Sequence, residues 1–401
     1  RNDNGELYYG FRNSDNTWTQ STYSTNAGRN RVEMNSSGDA IIIVEPWYQK
    51  ELTAIYKAHD QNDWSTPVTI SNSELYSLRS NFEINESGNV ALVWLDFASS
   101  DDKSIKFREM VNGSWTTEVT LSNSSKVKEL PSVAYNDNGD VLVTWQEWDI
   151  NDSGRFDIVG KFRNGSTQTW GDLETFSDGT NHAGFSQVAL DDSGDAIVYW
   201  RQATGTFVNN EAENPFGELN LRYRNYDGSQ ENIVTVSLPS EDSFNATTES
   251  TEPRIVFDDG TAAVTWWGVN NNHNIVYASV MQDKTTWNTT ALTGNGKSAN
   301  LSSISIGNNG FIAVAWQRTD GLNHRVQSKF YYAQSSTWSS VMTMSESGSD
   351  AIHTDIAADD NSSATASWVR WNVATSKYVP EIKQYTPIVI TLLGDKNMTL
   401  E

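Results

Sequence analysis

One ten-residue phrase recurs seven times along the 401 residues, and it limits the fold more than any other feature. Its consensus is Asn/Asp-x-x-Gly, then an apolar run, then tryptophan six residues past the glycine. The copies are NSSGDAIIIV from Asn35, NESGNVALVW from Asn85, NDNGDVLVTW from Asn136 and DDSGDAIVYW from Asp191. Three more are FDDGTAAVTW from Phe257, GNNGFIAVAW from Gly307 and DDNSSATASW from Asp359. The markers Gly38, Gly88, Gly139, Gly194, Gly260, Gly310 and Ser362 are spaced by 50, 51, 55, 66, 50 and 52 residues. A fixed period over the whole chain means one structural unit built repeatedly.

Alternating apolar residues flank an Asn/Asp-rich turn in each copy, which predicts a β-hairpin. The glycine supplies positive φ, and the side chains before it hydrogen-bond the turn backbone. Turn chemistry thus accounts for these acids and amides; calcium binding is the rival reading, and no specific motif supports it. A second alternating segment, a turn and usually a tryptophan follow, as at Trp64, Trp115, Trp170, Trp287 and Trp338. A more polar strand such as STPVTIS or TTEVTLS completes the unit. Four short antiparallel strands per repeat predict an all-β, seven-bladed propeller of four-stranded blades. Leu7–Phe11 matches a third strand and Trp18 the tryptophan before a fourth. One or two N-terminal strands are therefore expected to close the ring and protect a sheet edge.

Residues 1–385 read as this propeller and 386–401 as a separate segment. The chain opens within the repeat pattern and without a leader, so Arg1 reads as an artificial or processed start. Hydrophobic residues make up only 37%, which suits thin blades and an extracellular β-protein. A formal charge of −23 argues against nucleic acid and anionic membrane as partners. With no cysteine, disulfides, thiolate catalysis and cysteine-ligated zinc are excluded. No apolar run is long enough to span a membrane as a helix.

Two resemblances add expectations. Thr386-Pro387-Ile388-Val389-Ile390-Thr391-Leu392-Leu393-Gly394 resembles the opening strand of immunoglobulin-like modules in large bacterial surface and secreted proteins. That implies a secreted or surface location and further domains of the same polypeptide. The repeat itself resembles the sialidase-like, Asp-box propellers through its tryptophans between third and fourth strands. Ser14-Asp15-Asn16-Thr17-Trp18 and Asn112-Gly113-Ser114-Trp115 are degenerate box leaders, and no copy matches the full box. The resemblance implies a search for three arginines. Arg31 and Arg254 lie near first strands where one family arginine sits, but Arg31-Val32 departs from the family's Arg-Ile-Pro and no triad can be assembled.

Function is expected where the repeat stops repeating. Just past the repeated tryptophan, varied residues fall on one face of the ring. The candidate ligand-binding set is Trp47, Asp96, Glu147, Trp148, Arg201, Trp267, Arg318, Arg370 and Trp371. Aromatic rings beside carboxylates and guanidinium groups suit sugar recognition; packing between blades is the competing use of the tryptophans. The stretches from Arg201 to Asn220 and from Leu238 to Glu252 lengthen one unit and are expected to border the site. Among His59, His182, His273, His324 and His353, the last four map to that same face. His182 with Arg201 and a tyrosine can be drawn as a lyase arrangement, although no spacing demands it. The leading expectation is an extracellular propeller that binds glycan or another ligand for adhesion or substrate docking, without cofactor or metal. The alternatives are a polysaccharide lyase or sialidase-like glycosidase, and a protein-binding scaffold.

Overall fold

The structure is a computed structural model. It describes residues 6–12, 17–24, 27–46, 51–71, 76–97, 102–122, 126–148, 155–203, 207–208, 211–212, 217–237, 254–270, 273–294, 296–307 and 309–386. Among these every regular element is a β-strand. An N-terminal hairpin, β1 (Glu6–Arg12) and β2 (Trp18–Ser24), precedes blade 1. Blade 1 is β3 (Ala27–Met34), β4 (Ala40–Pro46), β5 (Thr53–Lys57) and β6 (Val68–Thr69), paired in that order. Six further antiparallel sheets cover residues 76–120, 127–175, 183–235, 254–291, 299–343 and 351–385. The seven sheets form a ring around a central channel, a seven-bladed β-propeller. Blade 7 has three strands, Ala351–Ala358, Ala364–Asn372 and Lys377–Tyr385. The two N-terminal strands pair with each other and pack on blade 1; among the described residues neither pairs with blade 7, so the expected completion of the last blade by strand pairing is not seen. Residues 387–401, with most of the second segment expected from the sequence, lie outside the described residues.

The repeated phrase builds the turn between first and second strands. Asn136 Oδ1 accepts the N–H of Asp140 at 2.8 Å, as Asn85 does from Asn89 and Asp191 from Asp195. The amide of the same asparagine reaches the next blade. Asn35 Nδ2 donates to the Asn85 carbonyl, Asn85 to Asn136, and Asn136 to Asp191, at 3.0, 3.2 and 2.8 Å. The residue after the glycine fastens the turn between strands three and four: Asp39 accepts His59 N–H, Asp140 accepts Gly165 N–H and Asp195 accepts Tyr226 N–H, each at 2.7 Å. Blade 5 uses a turn one residue shorter. Asp259 and Gly260 (φ 43° and 71°) bridge the paired Asp258 and Thr261, the Asp-Gly solution of a two-residue hairpin.

The core lies between blades. Alternation gives the second strands two apolar faces, one toward each neighbour. Ile41 and Ile43 of blade 1 meet Phe82, Leu92 and Trp94 of blade 2, whose Ala91 and Val93 meet Val133 and Val143 of blade 3. Trp94, Trp145, Trp200, Trp266 and Trp316 are fully buried in these interfaces.

Candidate functional site at the central channel

Buried indole N–H groups seek acceptors, and two sequence-predicted residues supply them. Trp94 Nε1 donates to Asp96 at 2.7 Å, Trp145 Nε1 to Glu147 at 3.3 Å and Trp200 Nε1 to Gln202 at 2.7 Å. In each case the acceptor sits two residues after the tryptophan. Asp96 also accepts Ser77 Oγ at 2.6 Å, and burial raises its pKa. Glu147 is held in addition by Lys126 at 3.0 Å.

The other candidates are spread around the same rim. Trp148 stacks on Phe156, with centroids 4.7 Å apart, and Phe156 stands edge-on to His182. His182 Nδ1 accepts the Phe156 N–H at 3.2 Å; burial, then Arg155, lowers its pKa and favours neutral imidazole. Arg201 is buried with its guanidinium 5.0 Å from the Phe185 ring. Arg318 donates to the Gly294 carbonyl, and Arg370 contacts Ser349, Ser347, Glu346 and Glu381. Trp371 packs edge-on to Tyr378. Trp267 packs between blades 5 and 6 and also lines the channel. Trp47 and residues 238–252 lie outside the described residues, as does much of 201–220. Of the described candidates, Trp267 alone reaches the channel cavity.

That cavity, about 1170 Å³, is lined by the first strands of all seven blades. Its wall carries two rings of side chains set by the repeat register. Six lie nine residues before a blade's marker: Arg29, Arg79, Leu130, Phe185, Leu301 and His353. Five of these hold positive φ: Arg79 (56°), Leu130 (49°), Phe185 (57°), Leu301 (51°) and His353 (54°). Each sits where the first strand slips register against the second. A bulge re-aims a side chain, and for residues other than glycine this conformation costs about 1–2 kcal/mol.

The next ring holds Arg31, Asn81, Ser132, Gln187, Arg254 and Asp355. Arg254 meets Asp355 at 3.3 Å, and Arg31 lies 3.9 Å from Glu33. Side chains from one blade satisfy the inner-edge amides of the next. Val133 N–H donates to Asn81, Tyr135 N–H to Glu83 and Phe185 N–H to Gln146. Burial pushes Glu33 up to about 7, against the pull of Arg31 and Arg254. Burial and then the charge of Glu33 push Glu83 up to about 8. The cavity wall thus combines arginines, carboxyls whose pKa values burial raises, and an exposed imidazole. No group of three or more His, Asp or Glu side chains is placed to hold a metal among the described residues.

The sequence reading passed over Arg29, Arg79, Phe185 and His353 as a set, and noticed Arg31 and Arg254 only through a family resemblance. The available signal was a column of varied residues nine positions before each marker, inside first strands otherwise treated as core.

No family model matches the chain, and no curated protein does. Solved structures share the fold at very low identity. A polysaccharide lyase, the PL25 ulvan lyase solved with -[GlcA(1-4)Rha3S]-, superposes at TM-score 0.52 and 10% identity over 88% of this chain and 90% of its own. A prolyl endopeptidase matches at TM-score 0.50 and 11% identity over 90% of this chain and 50% of its own. The NanB sialidase of Streptococcus pneumoniae matches at 0.43 and 10% over 96% of this chain and 89% of its own. At these identities the likeness shows the propeller fold alone.

Proposed function

We propose that the protein is an extracellular carbohydrate-binding propeller that holds an anionic sugar unit at the channel mouth. The observation that carries this is the gathering of Arg29, Arg31, Arg79 and Arg254 around one cavity in a chain of charge −23. Arginine presents a planar fork that matches carboxylate and sulfate oxygens. Arg31 and Arg254 are each about half exposed. Phe185 and Trp267 supply ring surface in the same wall. The ulvan lyase, bound to an oligosaccharide containing GlcA and Rha3S, supports a propeller scaffold as compatible with such ligands. Adhesion or substrate docking at a cell surface is the role that follows.

The test is an array of neutral, uronate-bearing and sulfated glycans probed with the whole chain. Binding to acidic glycans that is lost in Arg31→Gln and Arg254→Gln supports the reading; silence across every class sinks it. A second reading, a carbohydrate-active enzyme, is favoured by Glu33 and Glu83. Both carboxyls retain protons near neutral pH in the same cavity, as a general acid requires. Release of unsaturated uronate absorbance, or of reducing sugar ends, from acidic polysaccharides would support it.

A further inference from the structure

We propose that a ring of large side chains on strained backbone forms a selectivity collar at the arginine end of the channel. The collar passes the terminal unit of an acidic glycan down to Arg31 and Arg254, and it turns away a unit inside a longer chain. This rests on the reading of the channel as the acidic-glycan site, and specifies which part of the glycan enters.

The collar is Arg29, Arg79, Leu130, Phe185, Leu301 and His353, from blades 1, 2, 3, 4, 6 and 7. Blade 5's counterpart lies outside the described residues. All but Arg29 have φ between 49° and 57°, each at a bulge of its first strand. Glycine is the residue that takes such a bulge position without strain. The chain places arginine, leucine, phenylalanine, leucine and histidine there instead. The backbone thus bends at a cost while a large side chain is kept in the channel wall. Neighbouring blades hold the bulges in place. Glu45 of blade 1 accepts the N–H of Ser80, beside Arg79, at 3.2 Å, and Gln146 of blade 3 accepts the N–H of Phe185 at 3.1 Å. Strain enforced by its surroundings is the pattern of a functional constraint.

The collar is sorted around the ring. His353, Arg29 and Arg79 stand on the consecutive blades 7, 1 and 2, while Leu130, Phe185 and Leu301 stand on blades 3, 4 and 6. One side of the opening therefore attracts an anion, and the other presents apolar surface. A sugar ring with a carboxylate or sulfate on one edge and C–H groups on its face matches both sides at once.

Depth decides which unit fits. Arg31 lies two residues past Arg29, which is about 6 Å of strand rise, and Arg254 shares its ring. Both arginines are held at that depth. Arg31 lies 3.9 Å from Glu33, two residues deeper again, and Arg254 donates to Ser303 and Asp355 at 3.4 and 3.3 Å. A sugar inside a chain carries a neighbour on each side, and both neighbours must lie across the collar. Its acidic group then stops at Arg29 and Arg79. A terminal sugar has one neighbour and enters end-on, so its acidic group reaches the second ring.

The test is isothermal titration of the full chain with two pairs of synthetic oligosaccharides. One pair ends in glucuronate and the other in a sulfated hexose, each beside a counterpart in which a neutral hexose caps the acidic unit. The wild type should bind at least one acid-ended probe roughly tenfold tighter than its capped counterpart, the effect of one charged hydrogen bond. Leu130→Gly with Leu301→Gly relieves strain and keeps or raises the unfolding midpoint. It should bring the two affinities within about threefold by admitting the capped probe. Leu130→Ala with Leu301→Ala keeps the positive φ and should narrow the gap likewise, which separates the side chains from the backbone. Equal affinities in the wild type, or a gap that either double variant leaves unchanged, overturns the collar and leaves the channel reading standing. Absence of binding by all four probes overturns both.

Discussion

Asp96 separates the rim reading of the sequence from the channel reading of the structure. Its carboxylate accepts Ser77 Oγ and Trp94 Nε1 at 2.6 and 2.7 Å, with all three groups buried. Replacing it with leucine strands two buried donors at about 1–3 kcal/mol each. Its second oxygen, Oδ2, has no partner among the described residues, so the carboxylate itself carries a desolvation cost that the substitution removes. The net expectation for Asp96→Leu is a loss of about 3 kcal/mol. Asp96→Asn keeps the acceptor oxygen, as Gln202 already does for Trp200, and costs no more than about 1 kcal/mol. Urea unfolding followed by tryptophan fluorescence measures both. Burial raises the Asp96 pKa, so the native state takes up this proton at a higher pH than the unfolded chain does. The wild type therefore gains stability relative to Asp96→Asn as pH falls from neutrality toward the unfolded carboxylate range. Glycan affinity of the folded Asn variant stays within about twofold, because Asp96 does not reach the cavity. A tenfold loss of affinity with unchanged stability would refute this reasoning and return Asp96 to the ligand site.

Three more expectations follow from particular contacts. Glu109 and Arg163 form a buried bidentate pair across blades 2 and 3, at 2.7 Å twice, with Tyr135 donating to the same carboxylate. Glu109→Ala strands the guanidinium and should cost about 3–5 kcal/mol, while Glu109→Met with Arg163→Met recovers most of it in denaturant unfolding. The raised pKa values of Glu33 and Glu83 mean the native state holds protons that the unfolded chain releases. Stability falls as pH rises from about 4.5 through 7 and 8, and Glu33→Gln with Glu83→Gln flattens that decline; unfolding midpoints from pH 5 to 9 read it. Finally, Arg254→Gln should lower affinity for an acidic glycan about tenfold or more with little change in stability, since its partner Asp355 is solvent-exposed; isothermal titration checks the first and thermal unfolding the second.

The blades were legible because each rule in them is local. The Asn-to-Gly spacing writes the turn, alternation writes the strands, and tryptophans mark the interfaces. Even the two-residue turn at Asp259-Gly260 follows from its sequence. The rim candidates show where local reading ran out. Asp96 and Glu147 broke the repeat and looked free to bind, yet each lies two residues past an indole that needs an acceptor. That spacing is visible in the sequence; the need is visible only once the tryptophan is known to be buried.

The sequence alone determined a sevenfold unit, its turns and the faces of its strands, because those depend on neighbours within a few residues. The ring decided the rest. Closing seven sheets around an axis brings Arg31 of blade 1, Glu83 of blade 2, Arg254 of blade 5 and Asp355 of blade 7 to one cavity. Period-2 patterning says which side a residue takes and nothing about which blade stands opposite. The same geometry leaves Val32 and Met34 exposed, where Phe82, Val133, Val188, Ile304 and Ile356 at the equivalent position of Val32 are buried. Packing, not pattern, turned a repeated structural phrase into one candidate site.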